Sequence, residues 1–119
     1  MNVMVVEDDR AIREALRFIL EGEGYRVSVA GNGREALERL EGEAPPDLLI
    51  VDLVMPVLNG WDLCAELARR PQLSSLPVVI VSASSDLDRA QLPRPGVDVL
   101  SKPIHFDELL KTVERHRHL

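Results

Sequence analysis

Aromatic side chains are scarce in this chain: one tryptophan, one tyrosine and two phenylalanines in 119 residues. That scarcity removes the stacking platforms on which single-stranded nucleic acid is bound. Positive charge is also short, with 14 lysines and arginines against 20 acids and a net charge of −6. Such a balance opposes direct binding to a phosphate backbone, which rests on neutralisation by Lys and Arg, so nucleic acid is not an expected partner. The single cysteine, Cys64, has no internal disulfide partner. Its helix-like surroundings suit a small packed side chain better than a nucleophile. No stretch approaches the ~18 consecutive apolar residues of a membrane span, and Met1-Asn2-Val3 opens no basic and apolar leader. A cytoplasmic location with no membrane partner is the expectation.

What is present is ordinary for a globular chain: 45% apolar and 29% charged residues, with no low-complexity stretch. The length suits one domain, residues 1–119, with a single core and no separate output domain. Short apolar runs read as strands at Val3 to Val6, Leu48 to Val51, Val78 to Val81 and Val97 to Leu100. Tyr25 to Ala30 alternates as an edge strand would. Between them lie helical patterns. The first runs from about Asp9 to Glu21, with Ile12, Ala15, Leu16 and Ile19 on one side and Arg13, Glu14 and Arg17 on the other. The second carries Ala36, Leu37 and Leu40 and ends at Gly42 and Pro45-Pro46. The third opens at Gly60, carries Trp61, Leu63, Cys64, Leu67 and Ala68, and stops near Pro71. Ser84 to Leu92 is at best a short fourth helix, because Pro93 and Pro95 cannot sit in a helix interior. The fifth starts around Pro103 and packs Phe106, Leu110 and Val113 inward. Trp61 and Phe106 are read as core.

Strands alternating with helices imply parallel pairing, and continuous apolar strands imply a sheet covered on both faces. The fold is therefore a doubly wound, five-stranded α/β protein with three layers. In such sheets a ligand site lies beyond the carboxyl ends of the strands. Glu7, Asp8, Asp52, Ser82 and Lys102 all fall at that edge.

Three carboxylates brought to one spot repel one another, so a pKa rises or a cation neutralises them. Mg²⁺ suits an all-oxygen set that leaves room for water and phosphate. A lysine and a serine hydroxyl nearby complete the parts of a phosphoryl site, in which an aspartate can be the nucleophile. Asp52 would attack while Glu7 and Asp8 hold metal. His105, His116 and His118 are not read as ligands. His116 and His118 stand two apart, a spacing that points them away from each other on a helix, and the solvated end of the chain is their expected place.

The pieces Val5-Val6-Glu7-Asp8-Asp9, Asp52-Leu53-Val54-Met55-Pro56 with Gly60, Val81-Ser82-Ala83 and Lys102-Pro103 resemble the receiver domains of bacterial two-component response regulators. The resemblance spans essentially the whole chain. It implies a flavodoxin-like sheet of order 2-1-3-4-5 and phosphoryl transfer to Asp52 from a sensor histidine kinase or histidine phosphotransfer protein. It further implies Mg²⁺ on Asp8, Asp52, the backbone carbonyl of Val54 and, through water, Glu7. Ser82, Ala83 and Lys102 would bind the phosphoryl group. Asp9 matches no site position and is expected to cap the first helix. Phosphorylation would bias a face built from the fourth helix, fifth strand and fifth helix toward a downstream protein or a second copy of the chain. No turnover enzyme is implied.

Two positions depart from the family pattern. Val99 stands where receivers usually carry a switch aromatic, three residues before the lysine. With the proline-rich segment, it keeps open a phosphorylation-independent protein-binding module. Val54 stands where a polar residue often positions the hydrolytic water, so slow self-dephosphorylation is expected. A phosphohydrolase that forms an aspartyl phosphate would need an acid at that same position, which argues against turnover.

Overall fold

The computed structural model describes residues 1–83 and 97–117. Its elements are β1 (Asn2–Val6), α1 (Arg10–Gly22), β2 (Arg26–Ala30), α2 (Gly33–Gly42), β3 (Leu48–Asp52), α3 (Gly60–Ala68), β4 (Val78–Ser82), β5 (Asp98–Ser101) and α4 (Phe106–Arg117). Here α4 is the last helix, the fifth in the sequence-based count. The short helix expected over Ser84 to Leu92, with Pro93 and Pro95 after it, lies outside the described residues.

All neighbouring strands pair in parallel, in the order β2-β1-β3-β4-β5. This is the flavodoxin-like sheet order that the resemblance implies. Because side chains alternate across a strand, β1 sends Val3 and Val5 to one face and Met4 and Val6 to the other. β3 divides Leu48 and Ile50 from Leu49 and Val51 in the same way. The first set packs with Leu16 and Leu20 of α1 and Leu109 and Val113 of α4. The second packs with Ala36 and Leu40 of α2 and Leu63 and Leu67 of α3. A central strand covered on both faces has no solvent side, hence its unbroken apolar run. β2, at the edge, is only partly covered and alternates.

Three helices begin on side-chain caps. Asp9 accepts the Ile12 amide at 3.1 Å, Asn32 the Glu35 amide at 2.9 Å and Asn59 the Asp62 amide at 2.9 Å. Each cap satisfies an amide that the helix cannot, and contributes about 1 kcal/mol. Asp9 thus takes the capping place expected of it.

Two helices turn differently from the spacing read in the sequence. In α1 the buried residues are Leu16 and Leu20, whereas Ile12 and Ala15 are exposed and Arg13 is half-buried. The last helix starts at Phe106 rather than Pro103, its first turn closing when the Leu109 amide donates to the His105 carbonyl at 3.0 Å. The stripe it buries is Leu109, Thr112 and Val113, so Phe106 stays 50% exposed and Leu110 half-buried. Continued by one turn, that stripe reaches His116. Its Nε2 lies 2.7 Å from Asp98 Oδ2, and its side chain is 11% exposed. His116 is therefore packed against β5 instead of fraying into solvent; His118 lies outside the described residues. Trp61 does pack against the core on the α3 side. Among the described residues no helix is long and apolar enough to cross a membrane.

Candidate functional site

Parallel strands finish at one edge of the sheet, and here that edge gathers the charge. Asp52 closes β3 and Ser82 closes β4, while Glu7 follows β1 and Lys102 follows β5. Backbone bonds carry the ladder slightly past the strands: Leu53 donates to Val81 at 3.0 Å and Lys102 to Ser82 at 2.9 Å. The side chains of Asp52 and Lys102 are thus brought together by register, although 50 residues separate them.

Asp52 is 3% exposed and Glu7 4%, while Asp8 is exposed. One carboxylate oxygen from each lies within 4.8 Å of the others. Lys102 Nζ stands 3.0 Å from Asp52 Oδ2, and the Val54 amide donates to Asp52 Oδ1 at 3.3 Å. The Asp9 amide donates to Glu7 Oε1 at 3.4 Å. Burial, then the hydrogen bond to Asp52 and its charge, push the Glu7 carboxyl up to about 8 against a pull downward from Lys102. Burial alone would lower the Lys102 ammonium. The hydrogen bond to Asp52 and the charges of Asp52, Glu7 and Asp8 outweigh it and raise the group. Crowded carboxyls therefore keep a proton that a divalent cation could replace. The donors are all hard oxygens, and the exposed Asp8 leaves one side open for water or phosphate, so the set fits Mg²⁺.

Gly60 lets this loop close on itself. Its amide donates to the Leu53 carbonyl at 2.9 Å, and a Cβ there would come within 2.9 Å of the Leu53 Cα. The same loop holds Val57 at φ 72°, bridged by a 2.9 Å hydrogen bond from the Leu58 amide to the Pro56 carbonyl. That is a γ-turn centred on a β-branched residue, a strained conformation.

Not every residue singled out in the sequence faces Asp52. The buried Ser82 hydroxyl donates to its own neighbour, the Ala83 carbonyl, at 2.8 Å. Val54 is 53% exposed. Val99 is half-buried and packs with Val97 against the apolar cluster on the α3 side. Sequence reading also missed Arg13, placed on the solvent side, whose Nη1 donates to the Glu7 carbonyl at 3.0 Å. Helical spacing carries no signal for a long side chain that folds back over its own helix start.

A family model for the response regulator receiver domain matches residues 3–114. The chain is 38% identical over 112 residues to the response regulator MprA of Mycobacterium avium, a match covering 92% of this chain and 48% of MprA. It thus spans about half that relative's length. It is 39% identical over 118 residues to an uncharacterized 14.6 kDa protein of Leptolyngbya boryana, covering 98% and 89% of the two chains. Among solved structures, the chemotaxis response regulator CheY4 of Vibrio cholerae superposes with a TM-score of 0.87 at 30% identity, covering 97% of each chain. The Thermotoga maritima response regulator TrrA, solved in complex with Mg²⁺ and BeF, gives 0.84 at 30% identity, again over 97% of each.

Proposed function

The chain belongs to the response regulator receiver domain family of two-component signalling, and we propose that Asp52 is its phosphoacceptor, in a reaction that needs Mg²⁺. The observation that carries this reading is the convergence of Glu7, Asp8 and Asp52 oxygens within 4.8 Å, with the Lys102 ammonium 3.0 Å from Asp52. Glu7, Asp8, Asp52 and the Val54 carbonyl would hold the cation. Mg²⁺ supplies, when bound, positive charge that offsets the carboxylates and the phosphoryl oxygens.

The chain's own residues do the rest. The Val54 amide and Lys102 orient the Asp52 carboxylate. A carboxylate oxygen attacks phosphorus in the phosphohistidine of a sensor kinase or phosphotransfer protein. The P–N bond breaks, the imidazole nitrogen leaves with the electron pair, and an acyl phosphate forms. Lys102 then pairs with a phosphoryl oxygen, and the Ser82 hydroxyl turns from the Ala83 carbonyl to donate to another, with Ala83 beside it. The phosphodonor would meet an apolar hollow of about 260 Å³ beside Lys102, formed by Ile12, Ala15, Leu16, Pro103, Ile104 and Phe106. Exposed Val54 offers no acid or base, which supports self-limited phosphorylation rather than turnover.

Mass spectrometry after incubation with Mg²⁺ and a small phosphodonor tests this. Label at Asp52, absent without Mg²⁺ and in Asp52→Asn, supports the reading; no label on Asp52 overturns it.

Val99, half-buried against the apolar cluster where an aromatic switch would stand, favours a second reading: a module that binds its partner without phosphorylation. A pull-down with and without Mg²⁺ and beryllofluoride separates the two. Equal capture favours the second, and capture that depends on the analogue favours the first. Of the face expected to serve a downstream protein or a homodimer, β5 and α4 are described, and the expected fourth helix lies outside the described residues.

A further inference from the structure

β2 ends at Ala30, and with it the regular ladder beside β1. The Glu7 amide still reaches the Ala30 carbonyl at 3.1 Å. One further step of a parallel ladder would ask the Asn32 amide to donate to the Glu7 carbonyl, but the chain has by then turned so that Asn32 can cap α2. The Arg13 guanidinium supplies a donor instead, with Nη1 3.0 Å from that oxygen. Arg13 sits near the start of α1, where its own amide donates to the Asp9 carbonyl at 2.9 Å. Its guanidinium also passes beside Gly31, where a Cβ would lie 3.4 Å from Nη1. One side chain thus ties α1 to the end of β1 and passes beside the turn after β2.

The Glu7 carbonyl belongs to the rigid peptide plane that leads into Asp8, so holding its oxygen sets the direction in which the Asp8 Cα leaves. Glu7 and Asp52 are held by burial, but Asp8 is exposed and has no such packing. We propose that Arg13 is a positioning residue for the cation site, holding the Asp8 carboxylate toward Glu7 and Asp52 by way of the Glu7 carbonyl. The inference rests on the Mg²⁺ reading given above. It also has a sign of its own. A guanidinium acting through charge alone repels a cation, and its removal would tighten Mg²⁺ binding. Acting through position, its removal weakens binding, on the order of tenfold as for other outer partners of a metal site.

The experiment is calorimetric titration of Mg²⁺ into the full chain and its Arg13→Ala, Arg13→Lys and Asp8→Asn variants, with thermal melts in parallel. The expected result is affinity about tenfold weaker in Arg13→Ala and largely restored in Arg13→Lys, which still carries a donor. Arg13→Met keeps the packing of the stem and drops the donor, so it carries the same expectation if Arg13→Ala does not fold. Unchanged or tighter Mg²⁺ binding in a folded variant lacking the donor overturns the role of Arg13. Absence of Mg²⁺ binding by the unmodified chain, or binding indifferent to Asp8→Asn, would instead overturn the reading of the site itself.

Discussion

Glu7, one residue beyond β1, and Asp52, the last residue of the adjacent β3, are both buried at the strand ends, and burial, reinforced by the hydrogen bond to Asp52 and its charge, keeps a proton on Glu7 up to a pH of about 8. The ordinary value of 4.5 applies in the unfolded chain. Between the two, the folded state binds the extra proton, so cation-free stability falls as pH rises from about 4.5 to about 8. Glu7→Gln removes that slope and leaves the cation-free protein more stable than the original at pH 8, by several kcal/mol. Denaturant unfolding in chelator at both ends of the window checks it. Mg²⁺ binding at neutral pH is expected to release about one proton, seen by calorimetry in buffers of different ionisation enthalpy.

Lys102 acts on the same carboxylates with the opposite charge. Lys102→Met removes a cation 3.0 Å from Asp52. It is expected to tighten Mg²⁺ binding roughly fivefold through lost repulsion. It also abolishes the spectral response to beryllofluoride, because no ammonium remains to pair with the added anion. Amide spectra of the variant with Mg²⁺, and then with the analogue, separate the two effects.

Val54 stands exposed two residues beyond Asp52 and offers no hydrogen bond to an attacking water. Val54→Asn is expected to shorten the lifetime of the phosphorylated form severalfold. Its decay, followed by phosphate release, gives the rate; an unchanged lifetime would remove Val54 from any account of slow hydrolysis.

Val57 is 71% exposed and sits at φ 72°, so its isopropyl group adds strain with little packing in return. Val57→Gly is expected to raise stability by about 1 kcal/mol in denaturant titrations, after the greater freedom of glycine in the unfolded chain is subtracted. The same change loosens the loop behind Asp52 and slows phosphorylation if that turn helps to place the carboxylate.

Much of the fold was legible because β1, β3 and β4 are covered on both faces and must be apolar throughout, a pattern that needs no neighbour to be recognised. The cap at Asp9 and the acids at Glu7, Asp8 and Asp52 were legible for a related reason. Each is a polar side chain placed where an apolar run stops. Helix phase was less legible. Ile12 and Phe106 are apolar and correctly spaced, yet both are exposed, because the axis of a helix over the sheet decides which part of a wide apolar stripe is covered. His116 shows the converse, a polar residue near a chain end drawn inward by Asp98 on a strand 18 residues earlier.

Residue type and order were enough to dictate alternating strands and helices, and to place acids, a serine and a lysine at the strand ends. Both follow from local rules of periodicity and termination. The parallel register decided that Asp52 and Lys102 touch, and the end of β2 decided that Arg13 holds the Glu7 carbonyl. Those are relations between distant segments. They arise only when the sheet brings the segments within a few ångströms, where burial can move a proton and a guanidinium can replace a missing amide.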